Sequence, residues 1–184
     1  MEITIIRHAK PEPVSGSPIF ASELPHWIDL YNRAGVSKLS MPPLALVNGS
    51  DGGVIITSGL TRSKDSARQL NTKNTLISDA LFDEADLPHK NWDSVKLKPK
   101  YWLVLFRVLW FFGYSKNVES YSEARQRALK AAEKLAELAS SHQSVLLVGH
   151  GIFNRLIVKE LKDLGWSGPR NPGSGYWSFG KYTK

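Results

Sequence analysis

Residues 1–10 read MEITIIRHAK, and they place an arginine and a histidine directly after an apolar run. The run at residues 3–6 has the length and the β-branched composition of a buried strand. Burying a charged group without a partner is costly. The pair Arg7 and His8 is therefore either a structural accident near the surface or one side of an anion-binding site.

Further patterns along the chain predict alternating strands and helices. Apolar runs that predict strands occupy residues 54–57, 75–78 and 145–148, and an edge strand is expected in the tail after Gly175. Helical patterns occupy residues 23–33, 60–70, 101–112 and 152–164, and a capping box at 120–123 opens a long helix ending near Ser140. Residues 41–53 are expected to form a loop, and 81–118 to be irregular outside the helix. The alternation predicts an α/β fold, a three-layer α/β/α sandwich around a mostly parallel sheet.

Length and composition indicate one globular domain over residues 1–184. The chain is 42% hydrophobic and 22% charged, and it has no cysteine. The absence of cysteine and of a signal-peptide pattern predicts a reducing, cytoplasmic location. The longest apolar stretch, residues 101–114, contains Arg107 and is shorter than the roughly 20 residues of a membrane span. A packed helix is expected there.

The charge balance favours an anionic partner. The formal net charge is +7 and the isoelectric point is about 9.6. The basic residues are spread along the chain and do not form one block, so nucleic acid is not expected. A small phosphorylated substrate fits the charge better, and oligomeric state cannot be read from the chain.

Three predicted strands end in residues that suit a phosphate. Arg7 and His8 follow the first strand, Arg62 lies just beyond the second, and His150 follows a late one. The carboxyl ends of parallel strands meet at one edge of a sheet, beside helix N-termini that attract anions. Guanidinium groups match phosphate oxygens, and an imidazole can attack phosphorus. The residues therefore predict a phosphate pocket with a nucleophilic histidine, which would also need a carboxyl group to protonate the leaving alcohol.

The ordered set Arg7-His8, Ser58-x-x-x-Arg62 and Gly149-His150-Gly151 resembles the histidine phosphatase superfamily, the phosphoglycerate-mutase-like fold. The resemblance implies a metal-independent histidine acid-type phosphatase without a cofactor. In it His8 is phosphorylated, His150 is also catalytic, and Arg7, Arg62 and His150 hold the phosphate. It also implies a proton donor in the segment after the third strand. Glu84 matches best there, with Asp83 and Asp86 as competitors.

The resemblance further implies that residues 88–118 form a helical insertion that covers the active site. Arg107 in this insertion and Lys10 beside the first motif are possible substrate-binding residues. The aromatic residues of 101–114 are read as core by default, with a hydrophobic substrate wall or a membrane-surface face as alternatives.

The sequence departs from the family pattern at Ala9, where glycine is common, and at Lys10 and Pro11, where mutases carry other residues. The second departure favours hydrolysis over phosphoryl transfer between two positions of one substrate. Two alternatives stay open: a non-catalytic phosphate-binding or interaction protein on the same fold, and a phosphoglycerate-mutase-like phosphotransferase.

Overall fold

The computed structural model describes residues 1–47, 53–70 and 74–184, and a five-stranded sheet lies at its centre. The strands are β1 (Glu2–Arg7), β2 (Val54–Thr57), β3 (Thr75–Ser78), β4 (Ser144–Gly149) and β5 (Phe179–Thr183). Their order in the sheet is β3-β2-β4-β1-β5. The first four strands are parallel, and β5 is an antiparallel edge strand paired with β1. The expected edge strand in the tail is therefore present.

Helices connect the strands close to the predicted positions. They are α1 (Leu24–Arg33), α2 (Leu44–Val47), α3 (Thr61–Gln69), α4 (Pro99–Phe111), α5 (Tyr121–His142) and α6 (Gly151–Asp163). Short 3₁₀ turns occupy Ala21–Glu23 and Ala80–Phe82. The capping box is present: Ser120 Oγ accepts the backbone N–H of Glu123, whose carboxylate accepts that of Ser120.

The prediction of a loop over residues 41–53 was wrong in part. The helix α2 forms there because the backbone N–H groups of Leu46 and Val47 donate to the carbonyl of Pro43. Leu46 is buried in the cluster that contains Ile6 and Ile55 of the sheet. Tertiary packing therefore stabilises a helical turn that the loop-like composition did not predict. Residues 48–52 of the predicted loop lie outside the described part of the chain.

Strands β1, β2 and β4 are buried on both faces of the sheet, as their continuous apolar runs require, whereas the edge strand β3 is largely exposed. Ile3 and Ile5 face the cluster that contains the apolar stripe of α5 and most of α6. Ile6 faces the opposite side, where it joins residues of α3. This alternation follows from the two-residue period of a strand. The predicted three-layer α/β/α architecture is confirmed.

Two buried residues of helix α4 belong to a third cluster, whereas Trp110 joins the cluster that contains Ile3 and Ile5. Trp102 and Phe106 pack in the third cluster against Ala21 and Leu24, so that α4 lies against the start of α1. The predicted helix at 101–112 is present and begins slightly earlier, at Pro99. In the three described ranges, no helix is long and apolar enough to cross a membrane.

The register of the sheet sets the geometry of its carboxyl edge. Arg7 pairs with Gly149 and Thr57 pairs with Val148, so the residues that follow β1, β2 and β4 emerge side by side. Asn154 ties this edge together: its amide donates to the carbonyl of Ile6 at 2.9 Å and accepts the N–H of His150 at 3.1 Å. A side chain on Gly149 would collide with that amide, which explains why the position is a glycine.

Candidate active site

His8 lies at the end of β1 with only 2% of its surface exposed. Its Nδ1 is 2.7 Å from the carbonyl oxygen of Ala9. A carbonyl oxygen can only accept a hydrogen bond, so Nδ1 carries the proton and donates it. The neutral ring then has its lone pair on Nε2. This contact fixes the tautomer and the orientation that a nucleophilic imidazole needs.

His150 is fully buried at the end of β4, and its ring centroid is 5.1 Å from that of His8. Its Nε2 lies 2.7 Å from Ser58 Oγ, and that oxygen already accepts the backbone N–H of Leu60. The serine hydroxyl proton is therefore available to His150 Nε2. In that arrangement Nδ1 of His150 carries the ring proton and can donate it to an anion.

Arg7 and Arg62 hold their guanidinium groups over aromatic rings beside the two histidines. Arg7 lies 4.7 Å from the centroid of Tyr176 and donates to the carbonyl of Ser174. Arg62 is 3% exposed, lies 4.9 Å from the centroid of Tyr31 and donates to Asn32 Oδ1 at 2.8 Å. These contacts place both cations without using all of their donors.

Unsatisfied nitrogen atoms are concentrated in this cluster. In the described ranges, six buried side-chain atoms have no hydrogen-bond partner, and three of them are Arg7 Nε, Arg62 Nε and His150 Nδ1. Buried polar atoms in native proteins nearly always have a partner, and an unsatisfied group calls for a specific cause. An anion with several acceptor oxygens would satisfy all three.

Burial and positive charge keep both imidazoles neutral. Desolvation, followed by the charges of Arg62 and Arg7, lowers the pKa of His8 to about 3. Desolvation and Arg62 likewise lower the pKa of His150 well below its ordinary value, with smaller contributions from His8 and Arg7. Burial also lowers the pKa of Arg62. The cluster disfavours any further positive charge and suits an incoming negative one.

The acidic segment after β3 reaches the same edge of the sheet. The Glu84 carboxylate accepts the N–H groups of Ile152 and Phe153, at 3.2 and 2.9 Å, in the first turn of α6. Asp83 accepts the N–H of Gly59 at 2.6 Å, and burial raises the pKa of this carboxyl. Asp86 is exposed as a whole residue. Partial desolvation of its carboxyl group, together with the negative charge of Glu119, raises the pKa of that group. All three predicted candidates line one cavity.

That cavity has a volume of about 540 Å³. Its lining contains Arg7, His8, Arg62, the three acidic candidates and Arg107, together with residues of α1 and α4. His150 is fully buried and is not part of this lining, but its ring lies next to that of His8 in the lining. Lys10, a predicted substrate-binding residue, is exposed and lies outside the described lining; its backbone N–H donates to Ser40 Oγ.

The methyl group of Ala9 points away from the phosphate cluster. Ala9 is fully buried and packs in the cluster that contains Ile6, Leu70 and Trp177. Its N–H donates to Ser66 Oγ at 2.8 Å. The departure from glycine therefore fills core space below the sheet, and the backbone of this position still holds the His8 ring.

Several contributing residues carry no sequence signal that we read in advance. Asn32, Tyr31 and Tyr176 contact Arg62 or Arg7, which lie 30 or more positions away in the chain. Ser58 belongs to a motif quoted from the sequence, but its contact with His150 was not predicted. Arg127 donates to the carbonyls of Leu81 and Asp83 and pairs with Glu119, so it holds the acidic segment in place. In the described residues no group of three or more histidine, aspartate or glutamate side chains could hold a metal ion.

The carboxyl edge of this α/β sheet gathers two arginines and two neutral histidines, a set of side chains that suits a phosphate ester. Residues 45–180 match the histidine phosphatase superfamily (branch 1), and the chain belongs to this family. The matched region includes Arg62, the acidic segment and His150, and it begins after the strand that carries Arg7 and His8. A search of curated proteins gives no match.

Solved structures share the fold over nearly the whole chain. A mycobacterial glucosyl-3-phosphoglycerate phosphatase has a TM-score of 0.62 at 19% identity, covering 98% of this chain and 88% of its own. A protein described as mycobacterial hydrolase 1 has a TM-score of 0.64 at 18% identity, with 98% and 87% covered. A candidate alpha-ribazole-5′-P phosphatase of Escherichia coli has a TM-score of 0.58 at 14% identity, with 86% and 78% covered. At these identities the likeness establishes the fold.

The depressed pKa of His8 predicts a specific loss of stability in acid. An unfolded histidine titrates near 6.5, whereas the folded pKa is about 3. Between these values the unfolded state binds more protons, so stability falls as the pH falls. From pH 7 to pH 5, His8 should cost about 2 kcal/mol of the free energy of unfolding.

The measurement is urea unfolding at pH 7, 6 and 5 in buffers free of phosphate and sulfate. His8→Asn should be less sensitive to acid than the wild type by about that amount, whereas the exposed His142→Asn should follow the wild type. If the free energy of unfolding fell equally with pH in wild type and His8→Asn, His8 would be accessible to protons in the folded state.

Proposed function

We propose that this protein is a phosphatase that hydrolyses a phosphomonoester through a phosphohistidine on His8, without a metal ion. One observation carries the proposal: a buried neutral imidazole, with Nδ1 bound to Ala9, lies beside three buried nitrogen atoms that lack partners. Membership of the histidine phosphatase superfamily and the phosphatases among proteins of the same fold support it.

In the first step, the lone pair on His8 Nε2 attacks phosphorus and a P–N bond forms. The bond between phosphorus and the ester oxygen breaks, and the leaving oxygen takes the proton of a carboxyl group. Arg7, Arg62 and His150 donate to the non-bridging oxygens, which carry the charge in the transition state. The low pKa of His8 serves this step because the ring enters the reaction unprotonated.

In the second step, water attacks the phosphohistidine and the P–N bond breaks. The carboxylate that lost its proton in the first step takes one from this water, so the same residue acts as acid and then as base. Inorganic phosphate leaves, and His8 returns to the neutral state with its proton on Nδ1. All atoms are supplied by the ester and one water molecule.

Two carboxylates at the same edge of the sheet support an acid role in this step. Glu84 contacts the turn that directly follows His150, and Asp83 contacts the turn that follows Ser58. We assign the proton to Glu84, in agreement with the family resemblance. Asp83 is the first competitor, since burial raises its pKa and favours the protonated form. Asp86 lies on the exposed side of the cavity.

Replacing His8 by alanine should abolish turnover. We expect the rate of p-nitrophenyl phosphate hydrolysis to fall by at least about 1,000-fold, because a lost nucleophile cannot be replaced by the remaining groups. His142→Ala, an exposed histidine at the end of α5, is the matched control and should keep the wild-type rate.

The same pair of variants can be examined for the intermediate. Brief incubation with substrate and an acid-free quench should give a phosphorylated peptide containing His8, stable in base and labile in acid, in wild type and His142→Ala, and no phosphorylated peptide in His8→Ala. Equal rates for wild type and His8→Ala would overturn the mechanism. Phosphate binding without any turnover would favour the non-catalytic alternative, and an isomeric phosphoester product without free phosphate would favour the phosphotransferase.

The proton donor can be identified from its dependence on the leaving group. An alkoxide needs a proton when it leaves, whereas p-nitrophenolate does not, so loss of the donor should affect alkyl esters selectively. We expect Glu84→Gln to lower kcat/KM for an alkyl phosphate by about 100-fold or more and for p-nitrophenyl phosphate by much less.

Asp83→Asn and Asp86→Asn are the matched comparisons, because each removes one carboxylate from the same cavity lining. Each should lower the rates for both leaving groups by a similar factor. A selective loss on the alkyl ester in Asp83→Asn, with none in Glu84→Gln, would move the role to Asp83.

A further inference from the structure

We propose that the substrate's alcohol is a large apolar group and carries no second anionic group. The inference rests on the proposed function and concerns the same cavity, whose volume of about 540 Å³ exceeds the needs of a phosphate alone. Its cationic end holds Arg7, His8 and Arg62. The remaining lining is largely apolar and comes from α1, α4 and the segments near them: Trp27, Ile28, Tyr31, Leu60, Leu87, Leu103, Val104, Val108 and Ile152.

The α1 side supplies an aromatic surface next to the phosphate end. Trp27 and Tyr31 lie one turn apart with nearly parallel rings, 5.4 Å between centroids and 10° between planes. The Tyr31 ring also supports the Arg62 guanidinium. The Trp27 indole N–H donates to the carbonyl of Ser15, so the polar atom of this side chain is already used. The side chain therefore presents mainly apolar area to a ligand.

The α4 side supplies aliphatic side chains that the protein leaves uncovered. Val104 is 64% exposed and Val108 is 46% exposed, although both line the cavity. An apolar alcohol bound beside the phosphate would remove this surface from water. Since about 25 cal/mol is gained per Å² of apolar surface buried, such a ligand would bind more tightly than a polar one of equal size.

The lining offers little to a second anionic group. Arg107 is the one cation of the described lining outside the phosphate motifs. Its guanidinium already donates to the carbonyls of Ala85 and Asp86, at 2.7 and 3.1 Å. It also lies over the Trp110 ring. Three carboxylates, Asp83, Glu84 and Asp86, share the lining and repel anions. Arg107 therefore acts here as a residue that positions the acidic segment.

A series of n-alkyl phosphates from ethyl to octyl, with 3-phosphoglycerate as the polar dianionic comparison, tests the substrate class. We expect kcat/KM to rise about threefold per methylene over the first members, and 3-phosphoglycerate to be the poorest substrate. The matching n-alkyl phosphonates, which cannot be hydrolysed, should show a similar rise in affinity by calorimetry.

The two series separate the two proposals. Rising phosphonate affinity without turnover of any ester would overturn the phosphatase proposal and keep the apolar binding site. Turnover with a flat or falling series, or a preference for 3-phosphoglycerate, would overturn the substrate class and keep the phosphatase.

Variants on α4 provide a second test. The pair Val104→Asn and Val108→Asn should lower the ratio of octyl to ethyl phosphate kcat/KM by about tenfold, since both side chains are exposed and the fold does not depend on them. Leu105→Asn, on the same helix but outside the described lining, is the control and should change the ratio by less than about twofold. An unchanged ratio in the valine pair would overturn the assignment of this wall.

A separate observation concerns the outer face of α4, and from it we infer that this face binds an anionic membrane surface. Trp102, Phe106 and Trp110 cover one side of the helix with protein, yet the other side is also apolar. The exposed members outside the cavity lining are Tyr101, Leu105, Phe111 and Phe112, and Phe112 is 87% exposed. A helix that is apolar all round is normally buried on all sides.

The positive charge around this face favours an anionic membrane as its binding partner. Residues 88–118 contain six lysines and arginines and one acidic residue, Asp93, so the segment holds five of the seven net positive charges of the chain. Lys96, Lys98 and Lys100 are exposed at the start of α4, and Lys116 is exposed just beyond its end. Exposed aromatic residues flanked by lysines are typical of helices that lie in the interface of anionic bilayers.

Vesicle sedimentation tests this surface. We expect the protein to bind phosphatidylcholine vesicles that contain 30% phosphatidylglycerol, to bind pure phosphatidylcholine at least about tenfold more weakly, and to be released by salt. Phe111→Ser with Phe112→Ser should lower binding at least about tenfold. Leu39→Ser, which removes a 93% exposed leucine elsewhere on the surface, should not. Equal binding by the phenylalanine pair and wild type, or a concentration-dependent dimer that the pair abolishes while vesicles are not bound, would overturn the inference.

Discussion

Strand β1 pairs in parallel with β4 so that Arg7 lies beside Gly149, and the residues after both strands emerge at the same edge. His8 and His150 are thereby brought within 5.1 Å of each other, although 142 positions separate them in sequence. Asn154 maintains this arrangement because it bonds both the end of β1 and the N–H of His150. The phosphate cluster, the acidic segment and the cavity all depend on this register.

The cluster is organised for an anion at a cost to the unliganded protein. Two buried imidazoles stay neutral beside two arginines, and three nitrogen atoms lack partners. Unsatisfied buried groups destabilise a folded protein, so the surrounding packing must over-determine this geometry. The buried strands β1, β2 and β4 and the Ala9 methyl group in the core supply that packing. Binding a phosphoryl group would satisfy the nitrogen atoms and offset the cost, which links the stability of the site to its occupancy.

The structure brings some of the predicted site residues together and leaves others apart. It brings Arg7, His8, Arg62, His150 and the acidic segment together at one edge. This meeting was predictable because the ends of the strands can be recognised from the sequence. Arg107 lines the cavity but uses its donors on the backbone, and Lys10 lies outside the described lining. Side-chain direction on a helix or loop depends on neighbours that are distant in sequence, so a residue's position alone did not determine these contacts. The same limit explains why Asn32 and Arg127 were missed and why the contact of Ser58 with His150 was not predicted.

The sequence by itself determined the alternation of strands and helices, the capping of α5 and the three motifs that follow strands, because hydrophobic period and turn chemistry are local properties. Only the tertiary structure decided the tautomer of His8, the direction of the Ala9 methyl group and the partners of the three carboxylates. It also decided that α4 packs Trp102 and Phe106 against the protein, lines the cavity with Val104 and Val108, and leaves Phe112 exposed. These features depend on strand register and on packing between segments far apart in the chain, and no local pattern encodes such contacts.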